Sequence, residues 1–168
     1  WGNALDISPA FSRDHVVYVG LTNGGVYTTH HPVGARTRTL TLTIGSTTLM
    51  VDGTPRTLDA SPMICDGRTL VPIRAIVEAL GGTVAYEASD GKGRVDITLG
   101  SHTLSLWIGR AGARLDGAAV QVDPANDKVV PIIQANRTYL PLRFVGESLG
   151  CDVAWDPATR TVTLTYRF

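Results

Sequence analysis

The sequence predicts a strand-rich α+β fold: antiparallel sheets packed on two short helices, pseudo-duplicated along the chain and preceded by a β-hairpin arm. Three observations predict it. The phrase RTLVPIRAIVEALGG at residues 68–82 returns as RTYLPLRFVGESLGC at 137–151, 69 positions later. Alternating apolar residues precede each copy, Leu40, Leu42, Ile44, Leu49 and Val51 in the first and Leu104, Leu106, Ile108, Ala113 and Leu115 in the second. This is the period-two signature of strands with one buried face. Finally, 18 Gly and 9 Pro among 168 residues, set against only two helical stripes, imply tight turns and more strand than helix.

The chain divides into an arm, residues 1–35, and a duplicated domain, residues 36–168, with halves of about 38–100 and 101–168. In the arm, strands are expected at Val16–Leu21 and Gly25–His30, joined by the hairpin turn Thr22-Asn23-Gly24. Their residues Val16, Val17, Tyr18, Val19, Val26 and Tyr27 form an apolar hairpin that is marginal on its own.

Each half reads as strand hairpin, strand, helix, strand hairpin. The repeated strand ends at Pro72 or Pro141, expected at the first helical position, where a missing N–H is no loss. Ile73, Ile76, Val77 and Leu80 then make one apolar helix face, closed by Gly81-Gly82. The second copy keeps Leu142, Val145, Leu149 and Gly150, and puts Gly146 where Val77 stands, which lets another element approach closely. A strand follows each helix (Thr83–Tyr86, Asp152–Trp155). Next come a turn, with Pro157 suited to its second position, and a last strand (Val95–Thr98, Val162–Leu164). The connection Ala118–Asn136 is longer than its counterpart, as loops tolerate.

Composition bounds the function. With 15 basic and 15 acidic residues the net charge is zero and no phosphate-neutralising patch appears, which argues against nucleic acid as a partner. No apolar run approaches a membrane span, and the first residues lack a signal-peptide layout, so any export signal is expected to have been removed already. Low net charge leaves self-association unopposed.

No constellation of residues reads as catalytic, and no cofactor or metal site is expected. Of His15, His30, His31 and His102, the adjacent pair on a strand would face opposite ways, poor geometry for one metal. The aspartates Asp52, Asp66, Asp90 and Asp116 stand in Asp-Gly turns rather than in a calcium loop. Arg74 with Glu78, and Arg143 with Glu147, sit one helical turn apart and read as solvated pairs. Arg68 and Arg137, at the strand entrances, read as braces for a loop carboxylate or carbonyl. Ser8 and Ser61 lack a nucleophile-elbow context, and Asn136-Arg137-Thr138 is a formal glycosylation sequon. Cys65 and Cys151 leave two readings open, a disulfide or two thiols acting as small apolar residues.

The phrases GRTLVPIRAIVEALGGTVAY and NRTYLPLRFVGESLGCDVAWDPATRTVTL resemble the copper amine oxidase N-terminal-like, or stalk, domain over about residues 38–168. That resemblance implies an antiparallel sheet wrapped around helices and a noncatalytic module appended to varied partners in secreted and surface proteins of bacteria. It does not imply amine oxidase activity. The Asn-Tyr-Asp context of the quinone cofactor and a His-x-His copper pair are both missing. The arm resembles part of a bacterial β-propeller blade through Ser8-Pro9, Phe11, Asp14, Val17-Tyr18-Val19-Gly20 and Gly24-Gly25-Val26-Tyr27, which suggests a piece of a longer polypeptide.

The expected function is therefore a noncatalytic, extracellular or cell-surface structural protein whose partner is itself, through a filament built by donating the arm's strands to a neighbour. The alternatives are a module binding cell-wall polysaccharide or peptide through exposed aromatics such as Trp107 and Trp155, or an accessory spacer of a larger secreted enzyme. Exposed tryptophans would favour binding. Both lie in alternating strand patterns, and burial is the expectation.

Overall fold

The computed structural model describes residues 4–7, 16–20, 26–30, 36–89 and 92–168. They form two units, Trp1–Arg36 and Thr37–Phe168. The first is a three-stranded antiparallel sheet in the order β1 (Ala4–Ile7), β2 (Val16–Gly20), β3 (Val26–His30). Strand β1 was not anticipated from the sequence. It pairs with β2 from Ala4 opposite Gly20 to Ile7 opposite Val17. The expected Thr22-Asn23-Gly24 turn, and Ser8, His15, His31 and Asp90, lie outside the described residues.

The second unit is organised around a pseudo-two-fold axis that the repeat creates. Strand β7 (Met63–Cys65) turns into β8 (Arg68–Pro72), and β14 (Ile132–Gln134) turns into β15 (Arg137–Pro141). These form a four-stranded sheet in the order β14-β15-β8-β7. At its centre Val71 pairs with Leu140, its own counterpart in the repeat, flanked by Leu70 with Pro141 and Pro72 with Tyr139. Each repeated strand thus pairs antiparallel with its own copy.

Two five-stranded sheets flank this one. The first takes β4 (Thr37–Thr43), β5 (Thr48–Val51) and β6 (Thr54–Thr57) from the first half and β16 (Asp152–Asp156) and β17 (Thr161–Arg167) from the second, in the order β6-β5-β4-β17-β16. Its counterpart takes β9 (Thr83–Ser89) and β10 (Lys92–Leu99) from the first half and β11 (His102–Trp107), β12 (Gly112–Leu115) and β13 (Ala118–Gln121) from the second, in the order β13-β12-β11-β10-β9. Every sheet of this unit mixes both halves, so neither half can satisfy its strand edges alone.

Asp-Gly sets several of these registers. Asp52-Gly53, Asp66-Gly67 and Asp116-Gly117 all have positive φ at both residues, the type I′ geometry that matches the twist of a two-residue hairpin, and Ala135-Asn136 does the same between β14 and β15. The turns join β5 to β6, β7 to β8 and β12 to β13.

Helices α1 (Ile73–Leu80) and α2 (Leu142–Ser148) start directly from the paired strands. The prolines stand one position earlier than expected. Pro72 and Pro141 have extended ψ (97° and 109°) and are N-caps and last strand residues, because each is still held in the central ladder. Neither helix has a side-chain N-cap. Their anchorage is apolar: Ile73, Ile76, Val77 and Leu80, and Leu142, Val145 and Leu149, are all buried in one core with Leu40, Leu42, Ile97, Leu104 and Leu164. Gly81, at φ 93°, closes α1 in the left-handed conformation.

The two helix contacts exchange volume. At Val77 the strand side offers Gly82, where an added Cβ would lie 2.8 Å from Val77 Cγ1 and 2.5 Å from the Thr98 carbonyl oxygen. In the copy, Gly146 takes the place of Val77 and Cys151 that of Gly82. Val153 and Leu164 close over Gly146, with 2.8 Å and 3.1 Å left to an added Cβ. One large and one small side chain fill the same joint in opposite order, as close-packed interiors demand.

Paired candidate binding clefts

Two clefts flank the central sheet, related by the pseudo-two-fold. The larger, about 530 Å³, is walled by the β7–β8 hairpin of the first half and by α2, β16 and the segment after β13 of the second. Trp155, Phe144, Arg143 and Glu147 line one side, Arg68 and Asp123 the other. The smaller, about 490 Å³, repeats the plan with Tyr86, Ala75 and Arg74 facing Arg137 and Asp59.

The arginine of each RT motif reaches into the opposite half. Arg68 Nε donates to Asp123 Oδ2 at 2.7 Å, and Arg137 Nε stands 3.5 Å from Asp59 Oδ2. The first bridge is the better built. Partial burial works against ionisation of Asp123, but the Ala125 backbone N–H and the Arg68 guanidinium outweigh it and hold the carboxyl below its ordinary range. Asp59 is 75% exposed, against 14% for Asp123. The crossed bridges stitch the halves across the axis. Asp59 and Asp123 recur in the loops before the two motifs and were legible as a pair, but they were not singled out from the sequence.

The other expected site residues are distributed as follows. Arg143 and Glu147 stand 3.9 Å apart on the exposed face of α2. Arg74 and Glu78 are exposed and form no ion pair among the described residues, a correction to the expected symmetry. So weak a surface pair does not outweigh the rotamer freedom lost in holding it. Of the two readings left open for Cys65 and Cys151, the structure has both as free thiols. Cys151 is buried behind α2, and that burial pushes its pKa up to about 11, whereas Cys65 sits beside a hairpin turn and donates to Asp66 Oδ2 at 3.4 Å. They serve different places in the fold, consistent with their positions being inequivalent in the repeat. His102 caps a turn carboxylate, with Nδ1 2.9 Å from Asp116 Oδ2.

The expectation of buried tryptophans is also corrected. Trp155 is 36% exposed and Trp107 half-buried. Trp107 follows the alternation in the outward phase, one residue past the buried Leu106. Trp155 is in phase with Val153, on the face of β16 that lines the larger cleft, and is exposed there. In the arm, Val16, Val17, Tyr18 and Val19 lie on β2, which is paired on both sides. They do not form an open edge. Only Val26 and Tyr27, on β3, lie on a strand with a single neighbour among the described residues, and β1 is the other such strand.

Among the described residues no group of three or more His, Cys, Asp and Glu converges as metal ligands would, and no helix is long and apolar enough to cross a membrane.

The sequence pattern of the copper amine oxidase N-terminal domain matches residues 32–92 and again 50–164. The two matches overlap over residues 50–92. Neither a curated protein nor a solved structure matched significantly. In copper amine oxidases this N-terminal domain is a noncatalytic accessory domain. A duplicated RT-strand-helix unit folded about its own axis, and matched along most of its length, therefore assigns the chain to the copper amine oxidase N-terminal domain family.

Proposed function

We propose that this chain is a noncatalytic stalk module of an exported, cell-surface protein, and that it joins copies of itself by pairing the N-terminal strands with a neighbour's sheet. The observation that carries this reading is the separate three-stranded N-terminal sheet, whose outer strands β1 and β3 each have one partner among the described residues. Unpaired strand edges are templates for further pairing. A donor sheet and an acceptor elsewhere on the same chain make a heterologous contact, which propagates into a ring or a filament. Electron microscopy and sedimentation of the full chain test it. Assemblies should be present at high concentration and give way to monomers when residues 1–35 are deleted. A full-length chain that stays monomeric refutes the reading.

A second reading has its own support. Trp155 and Tyr86 occupy equivalent places in the two clefts and are 36% and 45% exposed. Such aromatic flanks suit the apolar face of a sugar ring or a peptide side chain, so a cell-wall polymer is the alternative partner. Soluble cell-wall fragments should quench tryptophan fluorescence in the parent, and not in Trp155→Ala, if this reading holds.

A further inference from the structure

The two outer sheets are copies of one another, yet they end differently at β6 and β13. Backbone parity decides which groups face outward. Leu58 N–H donates to the Thr47 carbonyl at 2.7 Å, and Val122 N–H to the Ala111 carbonyl at 2.8 Å. In an antiparallel ladder this makes Thr48 opposite Thr57, and Gly112 opposite Gln121, non-hydrogen-bonded pairs. Alternation then turns the N–H positions of residues 55 and 57 of β6, and 119 and 121 of β13, away from the sheet.

At that outward position β6 carries Pro55, which has no N–H, followed by Arg56. Its counterpart in β13 is Ala119, which keeps the donor, within a strand, Ala118–Gln121, that has neither proline nor charge. Proline and charge are the devices by which edges are kept from pairing. The remaining edges of this unit are protected too. Strand β16 carries Asp152 and Asp156, β9 carries Glu87, and β7 and β14 are only 3 residues long.

Beside the open edge lies a third cleft, about 450 Å³, lined by Trp107, Arg110, Arg114, Ala119 and Gln121 among others. Arg110 and Arg114 are exposed and form no ion pair among the described residues. The matching positions in the first sheet are Thr43 for Trp107, Ser46 for Arg110 and Met50 for Arg114, so neither the aromatic nor the positive charge is repeated there. The first sheet closes its edge, and the second adds a basic groove to an open one.

We propose that β13 is the acceptor edge and that its occupant is β1 of a second copy of this chain. This rests on the self-assembly reading above and names its surface. The match is one of length and charge. Strands β1 and β13 both span 4 residues, and β1 contains Asp6, whereas β3, the other outer strand of the arm, has no acidic residue. An added strand would take up the Ala119 and Gln121 backbone groups and bring an acidic residue to the pair of free arginines.

The test uses the full chain. Ala119→Pro removes the outward donor, and the first sheet tolerates proline at the equivalent position, so this variant should keep its melting behaviour and lose assembly. Arg114→Glu should weaken assembly, and combining it with Asp6→Arg should restore it. Should Ala119→Pro melt early, hydrogen exchange of the parent serves instead, with the Ala119 and Gln121 amides exchanging freely when dilute and becoming protected on assembly. Assemblies that survive a well-folded Ala119→Pro with both amides still exchanging would refute β13 as the acceptor while leaving self-assembly standing. A parent that never assembles overturns both readings. Protection of these amides that does not depend on concentration, in a monomer, also overturns the proposal, since the arm would then be folded onto its own sheet.

Discussion

The outer sheets share strand order, hairpin turns and inward residues, and differ where they meet solvent. Leu40, Leu42 and Leu49 are buried in one as Leu104, Leu106 and Ala113 are in the other. Outward, Thr43, Met50 and Pro55 of the first are replaced by Trp107, Arg114 and Ala119. Duplication kept what the core requires and freed the edges and outer faces to diverge. The two clefts differ in the same sense: the Arg68–Asp123 side is tightly bridged and aromatic, and its twin is looser. Divergence between structurally equivalent positions is thus a guide to function within a single chain.

The largest effect should come from cutting the copies apart. Residues 38–100 lack the strands that complete β4 and β10, and residues 101–168 lack those that complete β11 and β17. Neither fragment should fold alone, and an equimolar mixture should recover the circular dichroism of the intact domain. An independently folded half would contradict the exchanged sheets.

Within the intact chain, Leu80→Ala and Leu149→Ala test whether equivalent core sites carry equal weight. Both are nearly inaccessible, at 5% and 1%. Each should cost about 2–5 kcal/mol in chemical denaturation. A loss below about 0.5 kcal/mol at both sites would mean that the stripes are not core.

The glycine joints should behave unequally. An alanine at Gly82 meets the Thr98 backbone oxygen at 2.5 Å, which cannot swing aside, and should cost about 1–3 kcal/mol. At Gly146 the nearest atoms are the ends of Val153 and Leu164, which can adjust, so the loss should be smaller. Equal losses would show that the two helix contacts are not the inverted joints described above.

Much of this was legible in the sequence because it rests on local pattern. The helix stripes, the Asp-Gly turns and the repeat all depend on residues close together in the chain. The exchange of strands between sheets was not legible, since β17 pairs with β4 across nearly the whole domain and the repeat fits an exchanged and an unexchanged arrangement equally well. Strands β6, β7, β13 and β14 were missed because they are three or four residues long and have no fully buried residue to mark an inward face. Trp107 was misassigned although its phase was readable, one residue past the buried Leu106, whereas Trp155 is in phase with Val153 and is exposed because that face of β16 lines the larger cleft. Asp59 and Asp123 gained meaning only when the fold brought each to the arginine of the other half.

The smallest expected effect separates the two crossed bridges by pH. The folded-state pKa of Asp123 is lowered, so its carboxylate contributes stability that is fully present above its unfolded value, about 3.9. That contribution is lost as pH falls through the folded value. Asp123→Asn keeps an acceptor for the Ala125 N–H and removes only the charge, so its denaturation midpoint should fall below that of the parent near neutral pH, and the gap should close in acid below about pH 4. Asp59→Asn, at a carboxylate 75% exposed and 3.5 Å from Arg137, should give a smaller gap near neutral pH. If the two variants instead lost equal stability near neutral pH, the bridges would be equivalent, and the closer build of the Arg68–Asp123 bridge would have no electrostatic consequence.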